Sequence, residues 1–355
     1  MSQIRLLLAD RDPMFLEKFS NYLNKNKKIR FILELFTDPF MFESWIASGG
    51  TADLIVVSSS FFFELSNKPE NNIVILKDSP ESMIPKDYKS INKFSSAENL
   101  MKEILSLCAD KIPQNLYDRK ESGNVHLVLY ADGSDCYNPF AASIAYIKSR
   151  NSKSVFYLNL DEFSDTDCYF TGTNPKGLSE MLYYVKSQKE NLFLKTEVCT
   201  SKDSNYGIDF MKGHGNPEDI SLLTPNECNI LLNSILSRGF YDDIVISRAF
   251  RIDEILPVLL KESTRIYVSA LDYNSSIARL RKIAELLPVL TERNQLDKDI
   301  SDRITFCVTA FKKQPTEINL SGYRPVWLPN PVMDNLGSFP PTIDYINALN
   351  SILDR

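Results

Sequence analysis

The chain has 355 residues, 43% of them hydrophobic and 24% charged, and carries a net charge of −6 at pH 7. That balance excludes wholesale disorder, leaves enough chain for two cores, and argues against a broad nucleic-acid surface, which needs clustered Lys and Arg. No apolar run approaches the roughly 18 residues that span a bilayer, and "MSQIRLLLADRD" turns acidic too soon for a signal peptide; a cytoplasmic protein without direct membrane insertion is expected.

The first hundred residues alternate strand and helix signals. "IRLLLA" fits a buried parallel strand. "PMFLEKFSNYLNKN" has helical spacing, with Pro13 at its start. "IRFILELF" reads as a strand and "DPFMFESWIAS" as a helix. "ADLIVVSSS", "NNIVILK" and "YKSINKF" supply three more strands. "SAENLMKEILSLCAD" is a helix with Ser95 or Ser96 as its cap. The three aromatics of "SSSFFFEL", Phe61 to Phe63, suit either an exposed contact or the core. Residues 111–124, "KIPQNLYDRKESGN", are polar and aperiodic and read as a linker.

A second series begins at Val125. "VHLVLYA" is a strand and "PFAASIAYIKSR" a helix. "SVFYLNLD" is a strand, "PKGLSEMLYYVKSQ" holds a helix, and "LFLKTEV" looks like a further strand. In "TPNECNILLNSILSRG", Thr224 and Glu227 have capping-box spacing, Pro225 takes the first helical position and Gly239 fits the stop. "DDIVIS", "RIYVSAL" and "ITFCVTAF" are strands, with the helix "SSIARLRKIAELLPVL" between the last two. "TIDYINALNSIL" closes as a helix. The whole predicts an α/β protein of two doubly wound, three-layer domains.

Six scattered cysteines form no C-x-x-C pair, so neither a zinc site nor a disulfide framework is expected. His126 sits in an apolar run and reads as structural; His214 lies in the turn "KGHGNP". No catalytic residue and no metal-ligand set is assigned.

Over residues 1–110 the chain resembles the receiver domain of response regulators. "LLADRDP" offers Asp10 and Asp12 where that family clusters carboxylates for Mg²⁺. Paired acids at a strand end also suit a plain solvated loop. Ser58, in "DLIVVS", takes the place of the phosphate-accepting aspartate. Lys77 or Asp78 stands where a Thr or Ser is expected, and Lys93 matches the family's lysine. A serine hydroxyl cannot form the acyl phosphate or supply a charged ligand. The resemblance therefore implies a phosphate-independent docking module.

Over residues 125–355 the chain resembles the ParA/MinD family of P-loop ATPases. The loop "DGSDCYNP" lies where that family has Lys-Gly-Gly-Val-Gly-Lys-Thr-Thr. Gly133 keeps its glycine, but Asp132 replaces the signature lysine, and Ser134 and Cys136 replace glycines. Tyr137 replaces the phosphate-binding lysine, and Asn138 and Pro139 the two threonines. Asp161 is kept from an Asp-x-Asp pair whose first member is Asn159, and Ser247 ends a strand where a metal-proximal Asp is usual. The degenerate nucleotide site thus comprises Gly133, Ser134, Asp135, Cys136, Tyr137 and Asn138, with Asp161. The lysine neutralises phosphate and a threonine hydroxyl ligates Mg²⁺, so with both lost no appreciable hydrolysis is expected. The residues leave open whether ATP is bound without being cleaved.

The order of the two domains resembles the TadZ/CpaE family of tight-adherence (type IVb) pilus assembly proteins. That resemblance implies a scaffold at the cell pole or inner-membrane periphery. It implies the pilus secretion ATPase and other assembly proteins as partners, and a homodimer is expected because two copies strengthen weak docking. The alternative it leaves is a nucleotide-binding switch of ParA/MinD type or an atypical response regulator.

Overall fold

A computed structural model of the chain describes residues 3–26, 28–69, 72–79, 82–109, 123–151, 153–163, 166–236, 239–297, 300–311, 318–331 and 339–354. Two compact units are present: residues 1–116 with 189–198, and residues 117–188 with 199–355. Of the expected linker at 111–124, only Gly123 and Asn124 are described, and Asn124 already opens a strand.

The first unit runs β1 (Gln3–Ala9), α1 (Pro13–Asn24), β2 (Arg30–Phe36), α2 (Pro39–Ala47), β3 (Leu54–Ser58), α3 (Ser59–Glu64), β4 (Ile73–Lys77), β5 (Lys89–Asn92) and α4 (Ala97–Ala109). All five strands are parallel, in the order β2-β1-β3-β4-β5. This is a doubly wound order in which the chain reverses between β1 and β3, and ligands in such sheets gather at that reversal, beyond the strands' carboxyl ends. Alternation sends Leu7, Ala9, Val57 and Ile75 to one face, where Phe42 of α2 and Phe61 and Phe62 of α3 cover them. Leu6, Leu8, Val56 and Val74 face the other way and are equally buried. Phe63 is exposed, so the aromatic triplet divides between core and surface.

Most of the second unit alternates in the same way. It holds β6 (Asn124–Tyr130), α5 (Phe140–Arg150), β7 (Val155–Asn159) and α6 (Leu178–Lys186). Next comes α7 (Leu192–Cys199), most of which belongs to the first unit. There follow β8 (Thr200–Lys202), β9 (Asp209–Met211), α8 (Glu218–Ser221), α9 (Pro225–Leu236), β10 (Asp243–Ala249), α10 (Leu256–Glu262) and β11 (Arg265–Leu271). The chain ends with α11 (Asn274–Arg293), α12 (Ile300–Arg303), β12 (Ile304–Thr309), β13 (Val326–Leu328) and α13 (Ile343–Leu353). The sheet order is β13-β12-β11-β6-β10-β7-β9-β8, parallel except for the β8–β9 pair. Helices α5 and α13 cover the face that carries Val128, Tyr157, Val245 and Tyr267.

The stretch read as the strand "LFLKTEV" is helix α7. Its residues from Phe193 to Cys199 are all buried, so no polar stripe betrays the helical period, and a short apolar run does not distinguish the two states. Thr196 returns its hydroxyl to the Leu192 carbonyl at 2.9 Å, a bond that only the helical turn brings within reach. Within the first unit Lys28 pairs with Glu197 on this helix at 3.0 Å.

Several readings of the local signals match the structure. Thr224 and Glu227 form the reciprocal box, at 2.9 and 3.3 Å. Ser96 caps α4 through the Asn99 N–H at 3.2 Å. Gly239 sits at φ +61°, the left-handed conformation that suits glycine. No helix among the described residues is long and apolar enough to cross a membrane.

Candidate functional site

Strand β6 delivers the chain to the carboxyl edge of the sheet at Tyr130, and residues 131–139 return it into α5. A helix start leaves backbone N–H groups without partners, and phosphate loops use those groups. Here six of the ten N–H groups from Ala131 to Ala141 are spent on acceptors within the protein. The Ala131 N–H donates to the Ser269 carbonyl at 2.9 Å, and Gly133 to Tyr130 at 3.2 Å. Cys136 donates to the Ser134 hydroxyl at 3.4 Å, and Asn138 to the Asp135 carbonyl at 2.9 Å. Pro139 has no N–H. Phe140 donates to the Asn138 carbonyl at 2.7 Å, and Ala141, the second residue of α5, to the Tyr130 hydroxyl at 2.9 Å. Burial pushes the Tyr130 phenol far above its ordinary pKa, so this cap stays neutral.

The side chains of the loop turn to the protein as well. Asn138 is buried. Its amide donates to the Ser269 hydroxyl at 2.9 Å and accepts from Thr309 at 3.1 Å and from Tyr345 at 3.3 Å. It thereby joins the loop to β11, β12 and α13. Asp132 accepts from the Leu271 N–H at 2.8 Å. Asp135 accepts from the Tyr169 hydroxyl at 2.8 Å; burial raises its pKa, which that bond only partly offsets, and the charge of Asp161 adds to the rise. Gly133 (φ +87°) and Tyr137 (φ +58°) turn the chain through left-handed geometry. Tyr137, in the lysine's place, is 67% exposed.

Asp161 spends both carboxylate oxygens on main-chain donors, Ala249 at 3.1 Å and Phe163 at 3.2 Å. Its carbonyl accepts from His214 Nε2 at 2.8 Å. Asn159 accepts from the Asp161 N–H at 2.9 Å, and Ser247 is buried in β10. The structure therefore gathers the loop and Asp161 at one sheet edge. These residues do not fit Mg-ATP: no ammonium stands in the lysine place, six of the ten loop N–H groups have internal acceptors, and Asp132 and Asp135 would face a polyanion. Tyr130 and Tyr169, which close the loop, were not legible in sequence, since hydroxyl partners 11 and 34 residues away leave no local pattern.

In the first unit Lys93 pairs with Asp10 at 2.6 Å and with Asp78 at 3.3 Å, and lies 4.8 Å from the Phe15 ring centroid. Burial works against the Lys93 charge, but the Asp10 hydrogen bond and the two carboxylates outweigh it and raise its pKa. Asp78 is desolvated, yet its bonds from Ser60 and Ser59 and the Lys93 charge hold its pKa low. Asp12 stands apart: its carboxylate caps α1 through Met14 at 2.9 Å and Phe15 at 3.2 Å. The pattern Asp-Pro at a helix start signals that role. Ser58, fully buried, lies 3.4 Å from the Phe61 N–H and caps α3. Asp78 also accepts from the Ser59 hydroxyl at 2.9 Å and the Ser60 N–H at 2.8 Å. The structure thus joins Asp10, Asp78 and Lys93, and spends Asp12 and Ser58 on helix starts.

No family model matches the chain, and no curated protein does. Among solved structures it is similar to a ParA family ATPase from Chlorobium tepidum, with 19% identity, 59% of this chain and 85% of that one covered, and a TM-score of 0.47. It is similar to the MinD cell division protein of Aquifex aeolicus, with 14% identity, 66% and 98% covered, and a TM-score of 0.49. A plasmid partition protein from Borrelia burgdorferi bound to AMPPNP gives 16% identity, 66% and 98% covered, and a TM-score of 0.47.

Proposed function

We propose that this protein is a non-catalytic localisation scaffold of the TadZ/CpaE kind, serving assembly of a tight-adherence pilus secretion machine. In this reading a receiver-like domain (1–110) is joined by 111–124 to a ParA/MinD-like domain (125–355), and both act as docking bodies. The observation that carries it is the closed loop: Ala131, Gly133, Cys136, Asn138, Phe140 and Ala141 all give their N–H groups to protein acceptors. A loop that cradles phosphate turns its N–H groups to the ligand, and these six of the ten are turned to the protein instead. The Asp10–Lys93–Asp78 cluster supports the same reading for the first domain, because its carboxylates face an ammonium and its serine caps a helix.

The rival reading is a nucleotide-dependent switch of the kind named among the similar ATPases. Steady-state phosphate release and thermal unfolding with Mg-ATP separate the two. A ligand at about 100 times its Kd adds roughly 2.7 kcal/mol of stability. The scaffold reading expects no release above background and no shift of that size. Turnover abolished by a loop substitution would overturn it. The scaffold is further proposed to be a nucleotide-independent homodimer that recruits the pilus secretion ATPase and its neighbours at the cell pole. Light scattering of nucleotide-free protein should give twice the mass of one chain, and affinity capture from native cells should return pilus assembly proteins.

A further inference from the structure

The opposite edge of the second unit's sheet carries a different chemistry. There β11 begins at Arg265 and α12 hands over to β12 at Arg303, while Tyr323 and Arg324 precede β13. Between them lies a cavity of about 580 Å³, within the usual range for small-molecule sites. Three guanidinium groups line it, against one carboxylate, Asp302. The local charge is therefore +2 in a chain whose net charge is −6.

Arg265 and Arg303 are held by main-chain carbonyls. Arg265 donates to the Leu353 carbonyl at 3.1 Å, and Arg303 to the Ser263 carbonyl at 2.7 Å. The bond at Arg265 orients its guanidinium without cancelling the charge. Neither Arg265 nor Arg324 forms an ion pair among the described residues. The Tyr267 hydroxyl is buried beside Arg265 and lacks a well-formed hydrogen bond among the described residues. Tyr323, its ring centroid 4.7 Å from that of Phe306, supplies an aromatic wall.

We propose that this cavity binds a small phosphorylated molecule, with the phosphate held by the three arginines and the Tyr267 hydroxyl and the organic part against Tyr323. A phosphate monoester carries −1.5 to −2 charges at about pH 7, opposite in sign to the lining, where Arg265 and Arg324 form no ion pair among the described residues. Its oxygens accept paired N–H donors from a planar guanidinium better than from an ammonium. A basic recess concentrates such an anion, whereas a nucleic acid needs a basic stripe along an extended surface.

The test is calorimetric titration of the full chain with AMP, inorganic phosphate and citrate at fixed ionic strength. AMP should bind saturably at one site per chain. Arg324→Gln, at an exposed position, should weaken it at least about tenfold while the unliganded protein melts as before. Arg303→Gln should weaken AMP and phosphate together. Three results would overturn the proposal: no saturable binding of AMP or phosphate up to about 10 mM, citrate binding as tightly as AMP, or AMP binding lost in Tyr137→Asn but kept in Arg324→Gln. The last places the ligand at the loop instead.

Discussion

Replacing Asn138 with alanine tests whether the loop is part of the core. The substitution removes three hydrogen bonds, to Ser269, Thr309 and Tyr345. Each is worth about 1 kcal/mol net, somewhat less for the 3.3 Å contact. The three hydroxyls left behind are fully buried and in part lose their partners, which costs more than a bond lost to water. The expected loss is about 2–4 kcal/mol. The chain's two tryptophans, Trp45 and Trp327, fall one in each unit. In a Trp45→Phe background, Trp327 fluorescence therefore follows the second unit alone. Urea unfolding should show a lower midpoint with an unchanged slope. A loss below about 0.5 kcal/mol, the range of ordinary surface changes, would mean that the loop is not anchored and could open to a phosphate.

Tyr137→Asn should stabilise the second unit by about 0.5–1 kcal/mol, because Asn tolerates φ +58° better than Tyr; an unchanged or lower midpoint would count against the loop geometry. The double change Tyr137→Lys with Asn138→Thr restores two phosphate-site residues but not the spent N–H groups, so phosphate release should stay at background. In the first unit, Lys93→Gln leaves Asp10 and Asp78 without their shared ammonium and should cost about 1–3 kcal/mol, read by Trp45; adding Asp10→Asn should recover part of it, and strictly additive losses would show no coupling. Acid should weaken the second unit in two steps. Burial lowers the pKa of His126, so the unfolded chain takes up its proton first and stability falls as pH drops below about 6.5. Asp243 is also desolvated, but its bond from His126 and the nearby lysines hold it at about 2, so its contribution is complete above about pH 4 and declines below that. Urea midpoints of wild type and His126→Gln should diverge between pH 5 and 7; parallel lines would refute the first step.

The buried strands of both sheets and the helix stops were legible because each is a local pattern. Short apolar runs declare β1, β3, β6 and β11, and Thr224 with Glu227 declares the start of α9. Strands β8, β9 and β13, three residues each, are too short to repeat a two-residue alternation. The altered lysine, glycine and threonine places of the loop were also visible. What replaced their chemistry was not. Asn138 meets Tyr345 across 207 residues and Ser269 across 131, and such partners come together only in the folded sheet. Asp12 shows the reverse case: its role as a cap was written beside Pro13, while the receiver resemblance paired it with Asp10.

Helix α13 touches the loop at one end and the basic cavity at the other. Tyr345, in its first turn, reaches Asn138, and the Leu353 carbonyl, at its last residue, receives Arg265. Eleven residues at about 1.5 Å each make a strut of roughly 16 Å between opposite edges of the sheet. A strut pinned at both ends transmits load along its axis. Tension applied at Arg265 is borne at Asn138, so the two edges share a single mechanical member even though no side chain spans the distance between them.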